Sequence, residues 1–108
     1  MTSFSIESLQ HKATELRQQG QNWPDLASIF LKDGVPSATM LQVLLPLVDS
    51  YGGRWAIVRA AVLDVPETTN FIHIREVLQA EGIDLNEAVG HMVESGTDRI
   101  EAARRLGL

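Results

Sequence analysis

The run Arg54-Trp55-Ala56-Ile57-Val58-Arg59-Ala60-Ala61-Val62-Leu63 is apolar at every position except its two arginines. A helix that is hydrophobic on almost every side is buried on almost every side. This run is therefore predicted to be the central helix of the core, ended by Asp64-Val65-Pro66. Tyr51-Gly52-Gly53 precedes it and is predicted to be a hinge, because paired glycines give the backbone unusual freedom.

The segments on both sides of this run carry helix start and stop signals at short intervals. Apolar residues recur at helical spacing between them, and no alternating strand pair with a hairpin signal is present. Pro46 is predicted to kink or split the helix that contains it, and Ile100, Ala103 and Leu106 are predicted to form the buried stripe of the last helix. A further helix is predicted over residues 69–81. The predicted N-caps are Ser5, Asn22, Ser37, Asp84 (with Glu87 as an Asp-type capping box) and Thr97, and the predicted stops are Gly20, Gly34, Gly82 and Gly96.

These signals predict an all-α fold, a compact bundle of six to seven short helices. The chain of 108 residues is the length of one small domain, or of two small helical units that share one core. It contains no cysteine, which excludes disulfides, thiolate metal sites and a cysteine nucleophile. No apolar run approaches the roughly 20 residues that span a bilayer, and no signal peptide is apparent. A soluble cytoplasmic protein without a membrane segment is expected.

Catalytic patterns are weak throughout the chain. No nucleophile elbow, P-loop or dinucleotide-binding glycine pattern occurs, so we expect no enzymatic activity and no cofactor. His91 shares a predicted helix face with Glu87 and Glu94. This spacing differs from the Glu-x-x-His of di-iron bundles and has no second copy to face it. A local charge pair is the favoured interpretation, and no metal is expected.

The charge of the chain is unevenly distributed. The net charge is −5: residues 1–50 contribute −2, residues 51–96 contribute −4, and residues 97–108 contribute +1. Nucleic-acid binding draws much of its free energy from Lys and Arg that displace phosphate counterions. The acidic balance therefore disfavours DNA as the partner and favours protein.

A pattern in the first half is shared with known regulators. It consists of Leu16-Arg17, Gly20, Trp23 and Leu26-Ala27, followed by Gly34-Val35 and a Ser/Thr-rich helix start at Ser37. This pattern resembles the helix-turn-helix of plasmid and phage regulators, and the resemblance implies that the helix after Ser37 reads DNA bases. Residues 1–50 are accordingly interpreted as a helix-turn-helix-like unit.

The predicted reading helix departs from that family. Its stretch Met40–Pro46 contains no basic residue, and Gln42 is its only long polar side chain. Such a helix lacks the arginine that makes a bidentate contact to guanine. Its apolar composition predicts burial instead, against its own domain or against a partner.

The last thirteen residues, Gly96–Leu108, carry a second pattern. Their Ala102-Ala103-Arg104-Arg105-Leu106-Gly107-Leu108 resembles the first half of a Fis-type helix-turn-helix, in which a recognition helix follows the Leu-Gly-aliphatic turn. Residues 51–108 are therefore interpreted as an incomplete unit of this type that shares its core with residues 1–50. Arg99, Arg104 and Arg105 could contact phosphates, form a solvated face in which Glu101 supports Arg105, or dock on an acidic partner.

Large aromatic side chains are the remaining indicator of function. Some are expected to line a groove or a dimer seam, where aromatics supply much of the binding energy, or else to pack in the core. They are Phe4, Trp23, Phe30, Tyr51, Trp55 and Phe71.

Two functional hypotheses follow. The first is a small non-enzymatic regulator or adaptor that binds a protein partner, a second copy included, and modulates a nucleic-acid-binding or transcriptional system of a bacterial mobile element. The alternative is a sequence-specific DNA-binding regulator, either monomeric or dimeric, with residues 37–45 in the groove and Lys12, Arg17 and Lys32 on phosphates. The candidate interaction residues are Arg99, Arg104, Arg105, Trp23, Gln42, Tyr51 and Trp55.

Overall fold

A computed structural model describes residues 5–66 and 69–108, and this part of the chain forms seven α-helices. Over this part of the sequence there is no strand, so the predicted all-α bundle is confirmed. Its Cα radius of gyration is 13.2 Å, as expected for a compact domain of this length. Phe4 lies outside the described residues. The helices are α1 (Ile6–Gln18), α2 (Trp23–Lys32), α3 (Ser37–Leu44), α4 (Tyr51–Leu63), α5 (Phe71–Ala80), α6 (Leu85–Glu94) and α7 (Arg99–Arg105).

Three of the predicted N-caps are confirmed by their hydrogen bonds. The side chains of Ser5, Asn22 and Asp84 each accept a hydrogen bond from the backbone N–H three residues later. Each cap satisfies a donor that the first helical turn leaves without an intrahelical partner. The predicted stops also hold, since Gly20, Gly34, Gly82 and Gly96 all have positive φ.

Two predicted N-caps are wrong by one residue, and the predicted start of one helix is wrong by two residues. Pro36 occupies the N-cap position of α3, while Ser37 is the first helical residue and is buried. Asp98, rather than Thr97, caps α7, and its carboxylate accepts a hydrogen bond from the N–H of Glu101 at 3.1 Å. The helix predicted over 69–81 begins at Phe71, capped by Asn70. In each case a neighbouring residue with compatible backbone geometry takes the cap position.

Pro46 acts as predicted, since α3 ends at Leu44 and Pro46 lies in the turn that follows. Proline lacks a backbone N–H, and its ring clashes with the carbonyl four residues earlier. The helix therefore ends before Pro46, although apolar residues at helical spacing continue beyond Leu44 to Leu45 and Val48.

The predicted hinge at Tyr51-Gly52-Gly53 is wrong, because these residues form the first turn of α4. Ser50 caps this helix through a hydrogen bond from the Gly53 N–H to its Oγ, at 3.1 Å. Gly53 is glycine for a packing reason. The indole of Trp23 lies so close to its Cα that a Cβ built there would be 2.9 Å from Cγ of Trp23.

The core is built around α3 and α4. The first of these helices contacts α1, α2, α4 and α5, and the second contacts α2, α3, α5 and α6. Trp55, Ile57, Val58, Ala61 and Val62 of α4 are buried, as predicted for the central helix. Buried residues from both halves of the chain form one hydrophobic cluster. The division into two units at residue 50 stays a prediction.

None of the helices in the described ranges combines the length and the hydropathy needed to traverse a lipid bilayer.

Candidate functional site

The helix predicted to read DNA lies in the interior of the bundle. Met40, Leu41, Val43 and Leu44 of α3 are all 0% exposed. Gln42, the one candidate reader, is only half-buried and borders a surface depression shared with α5. Because base readout requires side chains that enter a groove, the buried side chains of α3 are unavailable for it in this fold.

Trp23 is held in the core at the start of α2. It is 6% exposed, and its indole Nε1 donates to Oδ1 of Asp49 at 3.1 Å. The guanidinium of Arg17 lies over the ring, 4.7 Å from its centroid, in a favourable cation–π position. These contacts fix the indole against Gly53 and leave little of Trp23 for a partner.

Tyr51 and Trp55 lie together on α4, but their exposures differ. Tyr51 is 64% exposed and Trp55 is 3% exposed. The Tyr51 hydroxyl donates to Oε1 of Glu87 at 2.9 Å and lies 3.1 Å from Nε2 of His91. The His91 ring stacks on the Trp55 indole with centroids 4.1 Å apart. These four side chains, here called the tyrosine cluster, join α4 to α6.

The tyrosine cluster explains why the capping box of α6 is only half formed. Asp84 caps the helix, but the Glu87 carboxylate accepts its hydrogen bond from Tyr51. His91 also lies 3.9 Å from the carboxylates of both Glu87 and Glu94, through different ring nitrogens. Within residues 5–66 and 69–108, no group of three or more His, Cys, Asp or Glu side chains could hold a metal ion.

The pKa of the Tyr51 phenol is raised from its ordinary value. The hydrogen bond to the Glu87 carboxylate is the main cause, followed by desolvation and by the negative charge of Glu87, while Glu94 adds a smaller contribution. The Trp55 indole N–H acts in the opposite direction, although its buried nitrogen has no partner at hydrogen-bonding distance among the described residues. The neutral phenol is thus favoured by folding.

Titration of Tyr51 tests this cluster directly, because it is the only tyrosine in the chain. A pKa that is higher in the folded than in the unfolded state contributes stability below the unfolded pKa, and the contribution is lost as the pH rises through the folded one. We expect tyrosinate absorbance to rise with a midpoint above 10.0, the ordinary value. Glu87→Gln should lower the midpoint, and Glu94→Gln should lower it less. An unchanged midpoint in Glu87→Gln would contradict the arrangement.

The three arginines of α7 do not form one exposed patch. Arg105 has a side chain only 13% exposed, and its Nη1 donates to the carbonyl of Val62 at 2.7 Å. Its guanidinium also lies over the Phe71 ring, 5.3 Å from the centroid. Arg105 therefore connects α7 to α4 through Val62 and to α5 through Phe71.

Glu101 holds both Arg104 and Arg105. Its Oε1 lies 2.6 Å from Nη2 of Arg104 and 3.0 Å from Nε of Arg105, which confirms the predicted support of Arg105 by Glu101. Hydrogen bonds from Arg104 and then from Arg105 lower the pKa of the Glu101 carboxyl. The Arg104 side chain remains 62% exposed, and Arg99 is exposed as well.

The predicted buried stripe of α7 is partly wrong. Leu106 is buried as expected, but Ala102 takes the place of Ile100, which is 78% exposed. Ala102 and Leu106 are one helical turn apart and point to the same side. On the other side of the helix, Arg99, Ile100 and Arg104 are exposed and Ala103 is half-buried. These four residues are here called the α7 face.

Ile100 is the functional candidate that sequence reasoning missed. The spacing of Ile100, Ala103 and Leu106 fits a helical stripe as well as that of Ala102 and Leu106 does, and only packing separates the two. Of the described large hydrophobic side chains, those that are exposed are Ile6, Tyr51, Ile72, Ile100 and Leu108, and Ile100 is the most exposed.

Comparisons of the chain with protein-family models, with curated proteins and with solved structures find no match.

Proposed function

We propose that this chain is a small non-enzymatic adaptor or regulator that acts by binding another protein, and that the α7 face is its contact surface. The observation that carries the proposal is Ile100. It is a large aliphatic side chain, 78% exposed, on a helix whose opposite side is buried. Two arginines flank it, Arg99 one residue before and Arg104 one turn later.

The energetics of this face suit a protein contact. Complete burial of an isoleucine side chain contributes about 1.5–3 kcal/mol. Arginine is enriched at protein interfaces and among the residues that dominate their energy. Arg104 is already oriented by Glu101, so less side-chain entropy is lost when it meets a partner.

The alternative, sequence-specific DNA binding through residues 37–45, is less well supported. The reading helix that it requires is α3, whose Leu41 and Val43 are buried. The net charge of −5 also opposes association with a polyanion.

The resemblance of the chain to helix-turn-helix regulators supports a more specific proposal. The partner is a nucleic-acid-binding or transcriptional protein of a bacterial mobile element, and the two meet in the cytoplasm. In this proposal the chain keeps helical units of a regulator and uses them to contact protein.

Affinity capture from lysate of the source cells tests the proposal. Immobilised wild-type chain and the control Ile6→Asp, which alters an exposed isoleucine on α1, should retain the same protein. Ile100→Asp should retain about tenfold less of it, which corresponds to a loss of about 1.4 kcal/mol. Recovery of nucleic acid alone, with no protein that depends on Ile100, would count against the proposal.

A further inference from the structure

The second half of the chain repeats the turn geometry of the first at one constant offset of 62 residues (82 − 20). Gly20 and Gly82 end α1 and α5, and Gly34 and Gly96 end α2 and α6, all with positive φ. The residue after Gly20 donates to the carbonyl of Leu16, and the residue after Gly82 donates to that of Leu78. The residues after Gly34 and Gly96 likewise donate to the carbonyls of Phe30 and Met92.

The helices match at the same offset. α2 (Trp23–Lys32) corresponds to α6 (Leu85–Glu94), and the N-cap of α2 corresponds to the N-cap of α6. The first residue of α3 likewise corresponds to the first residue of α7. Buried positions coincide as well. The pairs are Leu26 with Ala88, Phe30 with Met92, Met40 with Ala102 and Leu44 with Leu106.

One side of α3 packs on α5. Ala38 borders a depression together with Asn70, His73 and Ile74. Gln42, one turn further along, borders a second depression with α5. This side also includes Leu41 and Leu45, which are buried.

The counterparts of these residues on α7 are less buried than the residues on α3. Ile100 takes the place of Ala38, Arg104 that of Gln42, Ala103 that of Leu41 and Gly107 that of Leu45. Ala38 is 5% exposed and Ile100 is 78% exposed. Ala103 is half-buried, and Gly107 and Arg104 are exposed. On α3 this side is covered by α5. The matching side of α7 is the α7 face.

The matching sides of α3 and α7 differ in charge. Glu76 of α5 and Glu81, which directly follows this helix, border the depression that Gln42 also lines. In the second unit an arginine, Arg104, replaces Gln42. The guanidinium of Arg75 adds a further positive charge beside Gly107, since a Cβ built on that glycine would lie 3.0 Å from the Arg75 Cζ. Arg104 is paired with Glu101, but the α7 face still offers guanidinium groups, where α3 has the neutral Gln42, to an α5-like helix with acidic residues beside its apolar stripe.

We propose that the partner presents an amphipathic helix with an apolar stripe flanked by Asp or Glu, and that this helix lies on α7 as α5 lies on α3. The inference rests on the proposed function and names the form of its partner. A second copy of this chain is a poor source of such a helix, because its own α5 is held by its own α3. We take the occupant to be a helix of a different protein, in keeping with the proposed function.

The probe is a fluorescent peptide with the sequence of residues 69–82, held helical by a hydrocarbon staple between positions 72 and 79, which are exposed in the chain. Titration with the full chain should give saturable anisotropy. Ile100→Asp should weaken binding at least about tenfold, whereas Ile6→Asp should bind as the wild type does. Circular dichroism should show that both variants keep the wild-type helicity and Tm.

Reversal of charges on the peptide and on α7 tests whether the peptide binds beside Arg104. A peptide with Glu76→Lys and Glu81→Lys should bind the wild type several-fold more weakly, and Arg104→Glu should recover part of that loss. Absence of saturable binding overturns the inference. Binding that is insensitive to Ile100→Asp also overturns it, because the peptide would then be replacing α5 on α3. A dimer that sedimentation detects for the wild type but not for Ile100→Asp overturns it too, because a second copy would then occupy the α7 face.

The outcome is separable from that of the affinity capture. If the chain captures a protein in an Ile100-dependent manner but does not bind the peptide, the proposed function stands and the helical form of the partner is wrong. If neither is observed, both proposals are wrong.

Discussion

Gly53→Ala is expected to destabilise the protein, and Gly52→Ala is expected to stabilise it. Both glycines lie in the first turn of α4. A Cβ at Gly53 would overlap the Trp23 indole, whereas a Cβ at Gly52 meets no atom within 4 Å. Overpacking of a core typically costs about 1–3 kcal/mol, while replacement of an exposed helical glycine by alanine contributes about 0.5–1 kcal/mol of stability.

The effect of Gly53→Ala is large because the indole cannot move freely. Trp23 is held by its hydrogen bond to Asp49 and by the guanidinium of Arg17. Thermal unfolding followed by circular dichroism should therefore show opposite shifts of Tm for the two variants, about 4–8 °C for each kcal/mol in a domain of about this size.

A double-mutant cycle tests the cause of this destabilisation. In a Trp23→Leu background the bulky ring is absent, so the penalty of Gly53→Ala should fall, and what remains reflects Ser50 Oγ, which lies 2.8 Å from the same Cβ. If Gly53→Ala destabilised both backgrounds equally, contact with Trp23 would not be the reason.

Val43→Arg is expected to destabilise the protein by several kcal/mol. Val43 is 0% exposed on α3, and an unpaired charge in such a position costs several kcal/mol. Native domains of this kind are stable by only about 5–15 kcal/mol. Urea unfolding should show a midpoint far below that of the wild type.

Gln42→Arg is the matched control, with the same new side chain on the neighbouring residue. Gln42 is half-buried and borders a depression with Glu76 and Glu81, so the guanidinium remains solvated near carboxylates. Its unfolding midpoint should stay near that of the wild type. A Val43→Arg chain as stable as Gln42→Arg would mean that α3 is not part of the core, and DNA reading through this helix would regain support.

Most helix boundaries could be predicted from sequence because their causes are local. Asn22 and Asp84 cap α2 and α6 through hydrogen bonds to residues two or three positions away. Gly20 and Gly82 end α1 and α5 because the backbone there needs positive φ. The paired spacing of these turns is also a sequence signal, and it could have indicated the internal repeat.

The candidate site could not be predicted in the same way. Tyr51 meets Glu87 and His91 across 36 and 40 residues of sequence, and no local pattern encodes such a contact. Ile100 and Ala102 both belong to plausible helical stripes, and the contact of α7 with α6 leaves only Ala102 buried.

The amino-acid sequence by itself determined an all-α chain, most of its helix ends and the core position of α4, since capping, glycine turns and apolar periodicity act within a few residues. Only the tertiary structure decided that α3 lies inside the bundle, that Gly53 is a packing contact rather than a hinge, and that Ile100 faces solvent. These outcomes depend on which helix covers which face. That choice is made by burial of apolar surface between segments distant in sequence.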